Sequence, residues 1–184
     1  MKIQPTKTWT RLALPLLFLI IGIIPAKAQL YAGGGFSYYT SEVTLSDVTY
    51  LNISPELGYR YHRLSAGLGF SYNTITYSNN AYTDSKQYTL VPYIRYDIIV
   101  RKGLGLFADA FYSHSHYTES QSTEQVIHEV GVIPGIYYKL SDRFTALFRF
   151  GFFGYSSHYN NGFEGFGIDL STNTAQVRFY YSFW

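Results

Sequence analysis

The stretch Ile53–Tyr72, ISPELGYRYHRLSAGLGFSY, decides how this chain folds. In its first half the odd positions are Ile53, Pro55, Leu57, Tyr59 and Tyr61, and the even ones are Ser54, Glu56, Gly58 and Arg60. After His62-Arg63 the apolar set returns as Leu64, Ala66, Leu68, Phe70 and Tyr72, set against Ser65, Gly67, Gly69 and Ser71. A period of two puts successive side chains on opposite faces of a strand, so the segment predicts a hairpin with one apolar and one polar face. Two further copies follow, LVPYIRYDIIVRKGLGLFADAFY from Leu90 and VIPGIYYKLSDRFTALFRFGFFGY from Val132. In each copy a proline (Pro55, Pro92, Pro134) stands four residues before a tyrosine (Tyr59, Tyr96, Tyr138), and the prolines are 37 and 42 residues apart. That spacing is too uneven for a stacked solenoid and suits an up-and-down meander whose loops vary at one end.

Working outward, Tyr88, Leu90, Pro92, Ile94, Tyr96 and Ile98 share one face, answered by Leu104, Leu106, Ala108, Ala110 and Tyr112. Val126, Val130, Val132, Pro134, Ile136 and Tyr138 lead to Ser141-Asp142-Arg143, and Phe144, Ala146, Phe148, Phe150 and Phe152 return. A first strand near Leu30 to Tyr39 and a last near Thr174 to Phe183 make eight. Tight turns are expected at His62-Arg63, Arg101-Lys102 and Asp142, and longer polar links at Ser41 to Val48, Ser78 to Ser85, Thr118 to Thr123 and His158 to Gly167. This asymmetry is that of an outer-membrane barrel with periplasmic turns. Tyr59, Tyr61, Tyr96, Tyr138 and Phe144 form one aromatic belt near the turns, and Tyr72, Tyr77, Tyr88, Tyr112 and Tyr117 form another near the links. The three prolines fall on the apolar row, where a residue without an N–H interrupts pairing, so each is expected at a bulge or a ladder gap. A secreted β-sandwich alternates in the same way and is the rival architecture.

Lys2, Lys7 and Arg11 precede the apolar run Leu12–Ile24, which contains Pro15 and ends before Ala26-Lys27-Ala28. Charged start, short apolar run and A-x-A site read as a secretory signal peptide over 1–28, cleaved after Ala28, leaving one domain at 29–184. The leader holds four of the 14 basic residues and none of the 12 acidic ones, so the remainder carries a formal charge of −2. No nucleic-acid partner follows from the basic whole-chain balance. The chain has no cysteine, as suits an exported protein that does without disulfides. With 20% aromatic and only 14% charged residues, its apolarity is spread in alternation rather than gathered in a core-forming block.

From Leu30 to Trp184 the pattern resembles the small eight-stranded outer-membrane β-barrels of the OmpA transmembrane-domain and OmpX type, and more closely the broad porin-like outer-membrane β-barrel family. The resemblance implies an all-β, eight-stranded antiparallel up-and-down transmembrane barrel in the bacterial outer membrane. It also implies contact with outer-membrane lipid and recognition by the barrel-assembly machinery through a last strand ending at Trp184. The apolar row Val177, Phe179, Tyr181, Phe183 runs one residue out of step with Trp184. A monomer is expected, with the far loops open to a surface partner.

An eight-stranded lumen is just wide enough to be filled by side chains. Glu56, Arg95, Asp97, Asp109, Glu129, Arg149 and Arg178 fall on the lumenal row and are expected to pair with one another, since a lone buried charge costs several kcal/mol. Arg95 and Asp109 lie almost opposite across the Arg101-Lys102 turn and form the foremost expected pair, and Gly67 and Gly69 leave room for Glu56 to cross the lumen. The network predicts a polar plug, with a gate or narrow ion path as the functional rival. His114, His116 and His128 form a weak candidate for zinc or copper on one outward face, and interfacial polar residues are the plain alternative. FYSHSHY and GYSSHY pair serines with histidines, as lipid-modifying barrels do, but contain no nucleophile motif. Gly33-Gly34-Gly35 precedes no helix, and close packing or a bend explains it. The expected role is structural or surface-interacting, with no cofactor and no catalysis; a small-solute porin and a lipid A-modifying enzyme are the alternatives.

Overall fold

One antiparallel sheet, built from ten strand segments, closes on itself. The computed structural model describes residues 28–43, 46–78, 84–119, 125–159, 163–170 and 175–183; residues 1–27 of the expected leader and Trp184 lie outside the described residues. The segments are β1 (Gln29–Val43), β2 (Ser46–Tyr61), β3 (Leu64–Tyr77), β4 (Ser85–Arg101), β5 (Leu104–Glu119), β6 (Gln125–Lys139), β7 (Phe144–Arg149), β8 (Phe152–Tyr159), β9 (Phe163–Asp169) and β10 (Gln176–Ser182). From β1 to β6 each strand pairs with its chain neighbour. β7 and β8 pair in succession with β6 and so form one barrel strand; β9 pairs with β8, and β10 with β7 and then β1. The result is a closed eight-stranded up-and-down barrel.

The three tight turns lie where the sequence places them. Lys102 (φ 43°) and Gly103 (φ 87°) both take left-handed conformations, as a two-residue type I′ hairpin requires. His62 does so at φ 54°. In the third turn the Ser141 hydroxyl accepts from the backbone N–H of Arg143 at 3.3 Å and of Phe144 at 3.0 Å. At the far rim the strands run further than the polar composition suggests. β1 reaches Val43, β2 starts at Ser46, β5 reaches Glu119, and most of the expected link His158 to Gly167 belongs to β8 and β9. Glycine and asparagine mask the alternation there: Glu164, Phe166 and Ile168 face outward between Gly165 and Gly167.

The outward row carries the apolar side chains and the lumenal row the polar ones, but the lumen also holds rings. Tyr31, Tyr93, Phe107, Phe111, Tyr137 and Tyr180 are buried inside. Several lie over a lumenal glycine of a neighbouring strand: a Cβ on Gly67 would meet the Tyr93 ring at 2.6 Å, and one on Gly105 the Tyr137 ring at 2.3 Å. These glycines are slots for rings. Tyr77 and Tyr117 share the lumenal parity of Asn73 and Gln87 rather than that of the outward belt formed by Tyr72, Tyr88 and Tyr112.

All three prolines sit at irregularities. Pairing of β2 with β3 lapses between Ile53 and Glu56 with no change of register, and that of β4 with β5 lapses between Leu90 and Tyr93. Opposite Pro134 the register on β6 slips by one residue between β7 and β8, and the Phe150 N–H bonds to the Pro134 carbonyl at 3.1 Å. Gly151, at φ 76°, takes up the extra residue. The slip reverses the parity of β8, so Phe152 packs inward at 6.0 Å from the Phe111 ring instead of joining the outward row.

Closure is uneven along the barrel axis. Among the described residues β1 pairs with β10 only over Tyr31–Gly34, where a Cβ on Gly33 would meet the Phe179 carbonyl of β10 at 2.2 Å, while Gly34, at φ 148°, lies equally close to Ser54 of β2. Beyond that, among the described residues, Phe36–Ser41 pair only with β2, and the β9 positions Gly165–Ile168 pair only with β8.

Candidate functional site

The distinctive chemistry lies in one lumenal layer. Glu56, Asp109 and Arg149 each stand five residues from the short-turn end of their strands, and Arg178 stands four from the end of β10. Alternation aims all of them inward and the barrel brings them level. Arg95 and Asp109 are register partners. The guanidinium donates from Nε to Oδ1 at 2.7 Å and from Nη2 to Oδ2 at 2.9 Å, a two-pronged geometry.

Arg149 joins the two carboxylates, donating from Nη1 to Glu56 Oε1 at 2.8 Å and lying 2.7 Å from Asp109 Oδ2 through Nη2. Glu56 also takes Arg178 and the Tyr180 hydroxyl. Its stem leans across Gly69, where an added Cβ would come 3.3 Å from Glu56 Cγ. Rings line the charges. The Arg95 guanidinium sits 4.4 Å from the Phe107 centroid and 5.4 Å from that of Tyr180, and Arg149 sits 5.4 Å from that of Tyr93. The hydroxyls of Tyr31 and Tyr93 meet at 2.8 Å.

Two of the seven expected charges stand apart. Asp97 pairs nearer the short-turn rim with Arg60, whose guanidinium also lies 5.4 Å from the Tyr137 ring centroid. Arg60 occupies a lumenal position of the opening stretch, but its nearness to the turn kept it off the expected set. Glu129 lies further out, accepts from the Ser113 hydroxyl at 3.1 Å, and has no ion-pair partner among the described residues.

The layer divides the lumen. On the far side lies a cavity of about 350 Å³, with Glu56, Asp109 and Arg149 at its base and Gln87, Ser115 and Glu129 among its walls. On the short-turn side about 30 Å³ remains, between Arg60, Asp97, Tyr137 and Leu147.

The three histidines do gather on the outward face of β5 and β6. His114 and His128 are register partners with Nδ1 atoms 3.4 Å apart, His116 lies ring-to-ring with His114 at 5.1 Å, and the Tyr112 hydroxyl is 2.7 Å from His128 Nδ1. Among the described residues no three His, Cys, Asp or Glu side chains are grouped so as to hold a metal ion. In FYSHSHY the serines Ser113 and Ser115 are buried in the lumen. Alternation therefore puts the histidines on the opposite face. The side chain of His158 in GYSSHY lies outside the described residues.

No family model matches the chain, and no curated protein matches it. Among solved structures it is similar to Neisserial surface protein A, with 14% identity over 85% of this chain and 96% of that one, at a TM-score of 0.48. It is also similar to in-vitro folded OmpT, an outer membrane protein of Vibrio cholerae, with 14% identity over 87% of this chain at a TM-score of 0.38; the chain spans about half (53%) of that protein's length.

Proposed function

We propose that this chain is an integral protein of the bacterial outer membrane whose lumen is shut by side chains, and that it serves a structural or surface-interacting role at its far rim. The observation that carries the reading is the buried ionic layer with its bracing rings, set within a barrel whose outward row is apolar from Leu57 through Phe179. About 10 tilted residues cross a bilayer, and β1 to β6 have 14 to 17, so their far ends project beyond the outer leaflet. Those projecting ends and the links between them offer the surface to a partner. The protein acts as a monomer and reaches the membrane through an export signal and the barrel-assembly machinery.

Purified protein in a planar lipid bilayer tests the plug. The expected trace has no steady openings, and long-lived openings of porin size would overturn the reading in favour of a small-solute pore. Membrane fractionation with gel migration before and after boiling tests the placement; an unshifted band in the soluble fraction would sink it. No catalytic role is proposed, and mass spectrometry of lipid A from cells with and without the protein should give identical spectra.

A further inference from the structure

The two rims of the barrel carry opposite charge. The short-turn rim holds Arg63, Arg101, Lys102, Lys139 and Arg143, all exposed, against the single acid Asp142. At the far rim the described charged residues are Asp47, Asp84, Glu119 and Glu164, against Lys86. None of the five short-rim bases forms an ion pair among the described residues. Arg143 donates instead to the Tyr181 hydroxyl at 3.2 Å. The bases are also held in place. Backbone N–H groups of Asp97, Lys139 and Ser182 donate to the carbonyls of Arg63, Gly103 and Arg143, each at 2.8 Å, and so tie every short turn to the strand beside it. A Cβ on Gly103 would stand 3.7 Å from the Lys139 Cβ, which brings Arg101, Lys102 and Lys139 onto one stretch of rim. Like charges fixed side by side repel one another, and an anion at the rim relieves that repulsion.

The depth of the rim points to the anion. Exposed outward rings stand beside the bases: Tyr61 is two residues from Arg63, Tyr138 adjoins Lys139, and Phe144 adjoins Arg143. Aromatic side chains on a lipid-facing wall sit at headgroup level, so the bases reach the heads of the leaflet on the short-turn side. We infer that this rim is a basic collar that recruits anionic phospholipid, its phosphate-bearing heads held by the five bases and its acyl chains lying against Tyr96, Tyr138 and Phe144. Guanidinium and ammonium groups bind phosphate oxygens through charge-assisted hydrogen bonds. A zwitterionic head brings its own ammonium, which the collar repels, so the selected head carries a net negative charge. The inference rests on the membrane placement proposed above and not on the plug.

The test uses protein purified from membranes, in mixed vesicles of phosphatidylcholine and phosphatidylglycerol, with folding verified by heat-modifiable gel migration. Both native tryptophans, Trp9 and Trp184, are replaced by phenylalanine. Phe144→Trp then places a reporter beside the collar, and Val130→Trp places one in the far half. Dibrominated phosphatidylglycerol and dibrominated phosphatidylcholine are the quenchers. The expected result is a preference for phosphatidylglycerol of about fivefold in F144W, about the worth of one base beside an anionic surface, and no preference in V130W. Changing Arg63, Arg101, Lys102, Lys139 and Arg143 together to Gln should abolish the preference, as should about 1 M salt, which cuts the Debye length to about 3 Å. Equal quenching by the two lipids in F144W, or a preference that survives the five substitutions, would overturn the collar. Equal quenching combined with retention of soluble poly-L-glutamate by the unsubstituted protein alone would replace the lipid with an acidic polymer. The absence of quenching by either lipid at both reporters would instead overturn the membrane placement, and the collar with it.

Discussion

The short-turn half of the barrel and its far half are built from the same strands and obey different rules. In the former every strand has two ladder partners, and the lumen is filled to a residual 30 Å³. In the latter, among the described residues, β1 and β9 each have one ladder partner, and the lumen widens to a cavity of about 350 Å³. The difference teaches that barrel closure and lumen filling are separable. Four register pairs between β1 and β10 suffice to close the sheet, and the ionic layer is where filling stops.

Substitutions should separate the halves in a graded way, read by urea unfolding of detergent- or vesicle-held protein. The largest loss is expected for Glu56→Gln, which withdraws the charge facing Arg149 and Arg178 and should cost about 3 kcal/mol. Gly67→Val forces the Tyr93 ring from its slot and should cost about 2 kcal/mol. Asp97→Asn loosens a pair whose arginine is partly exposed, and about 1 kcal/mol is expected. Phe36→Ala, on the open margin, should stay within about 0.5 kcal/mol. A loss for Phe36→Ala as large as that for Glu56→Gln would erase the contrast between the halves.

The sequence exposes the plug better than the β1–β10 junction, for a physical reason. Facing is set by parity along a strand, so Glu56, Asp109 and Arg149 can be assigned to the lumen from their immediate neighbours, and Arg95 and Asp109 can be matched by counting around one turn. The prolines are legible in the same way, because a missing N–H is a local fact. Pairing between β1 and β10 joins opposite ends of the chain, and no local count reveals that it stops at Gly34. The lumenal rings escaped notice because Tyr93, Phe107 and Tyr137 alternate with outward residues as apolar as themselves. Their signal was the glycine on the neighbouring strand, which becomes readable only when register is known.

Gly151 acts as a phase shifter. The residue it accommodates gives β8 a side-chain phase independent of that of β7, although the two form one continuous barrel strand. Lumenal assignments beyond it can therefore change without disturbing Arg149 and the layer below. The converse holds for any comparison of this chain with another that forbids a gap within a strand: every residue from Phe152 to Ser156 would be assigned to the wrong face. Deleting Gly151 would remove the extra residue and restore unbroken alternation from Arg149, with Phe152 still facing the lumen and Phe153 still facing outward.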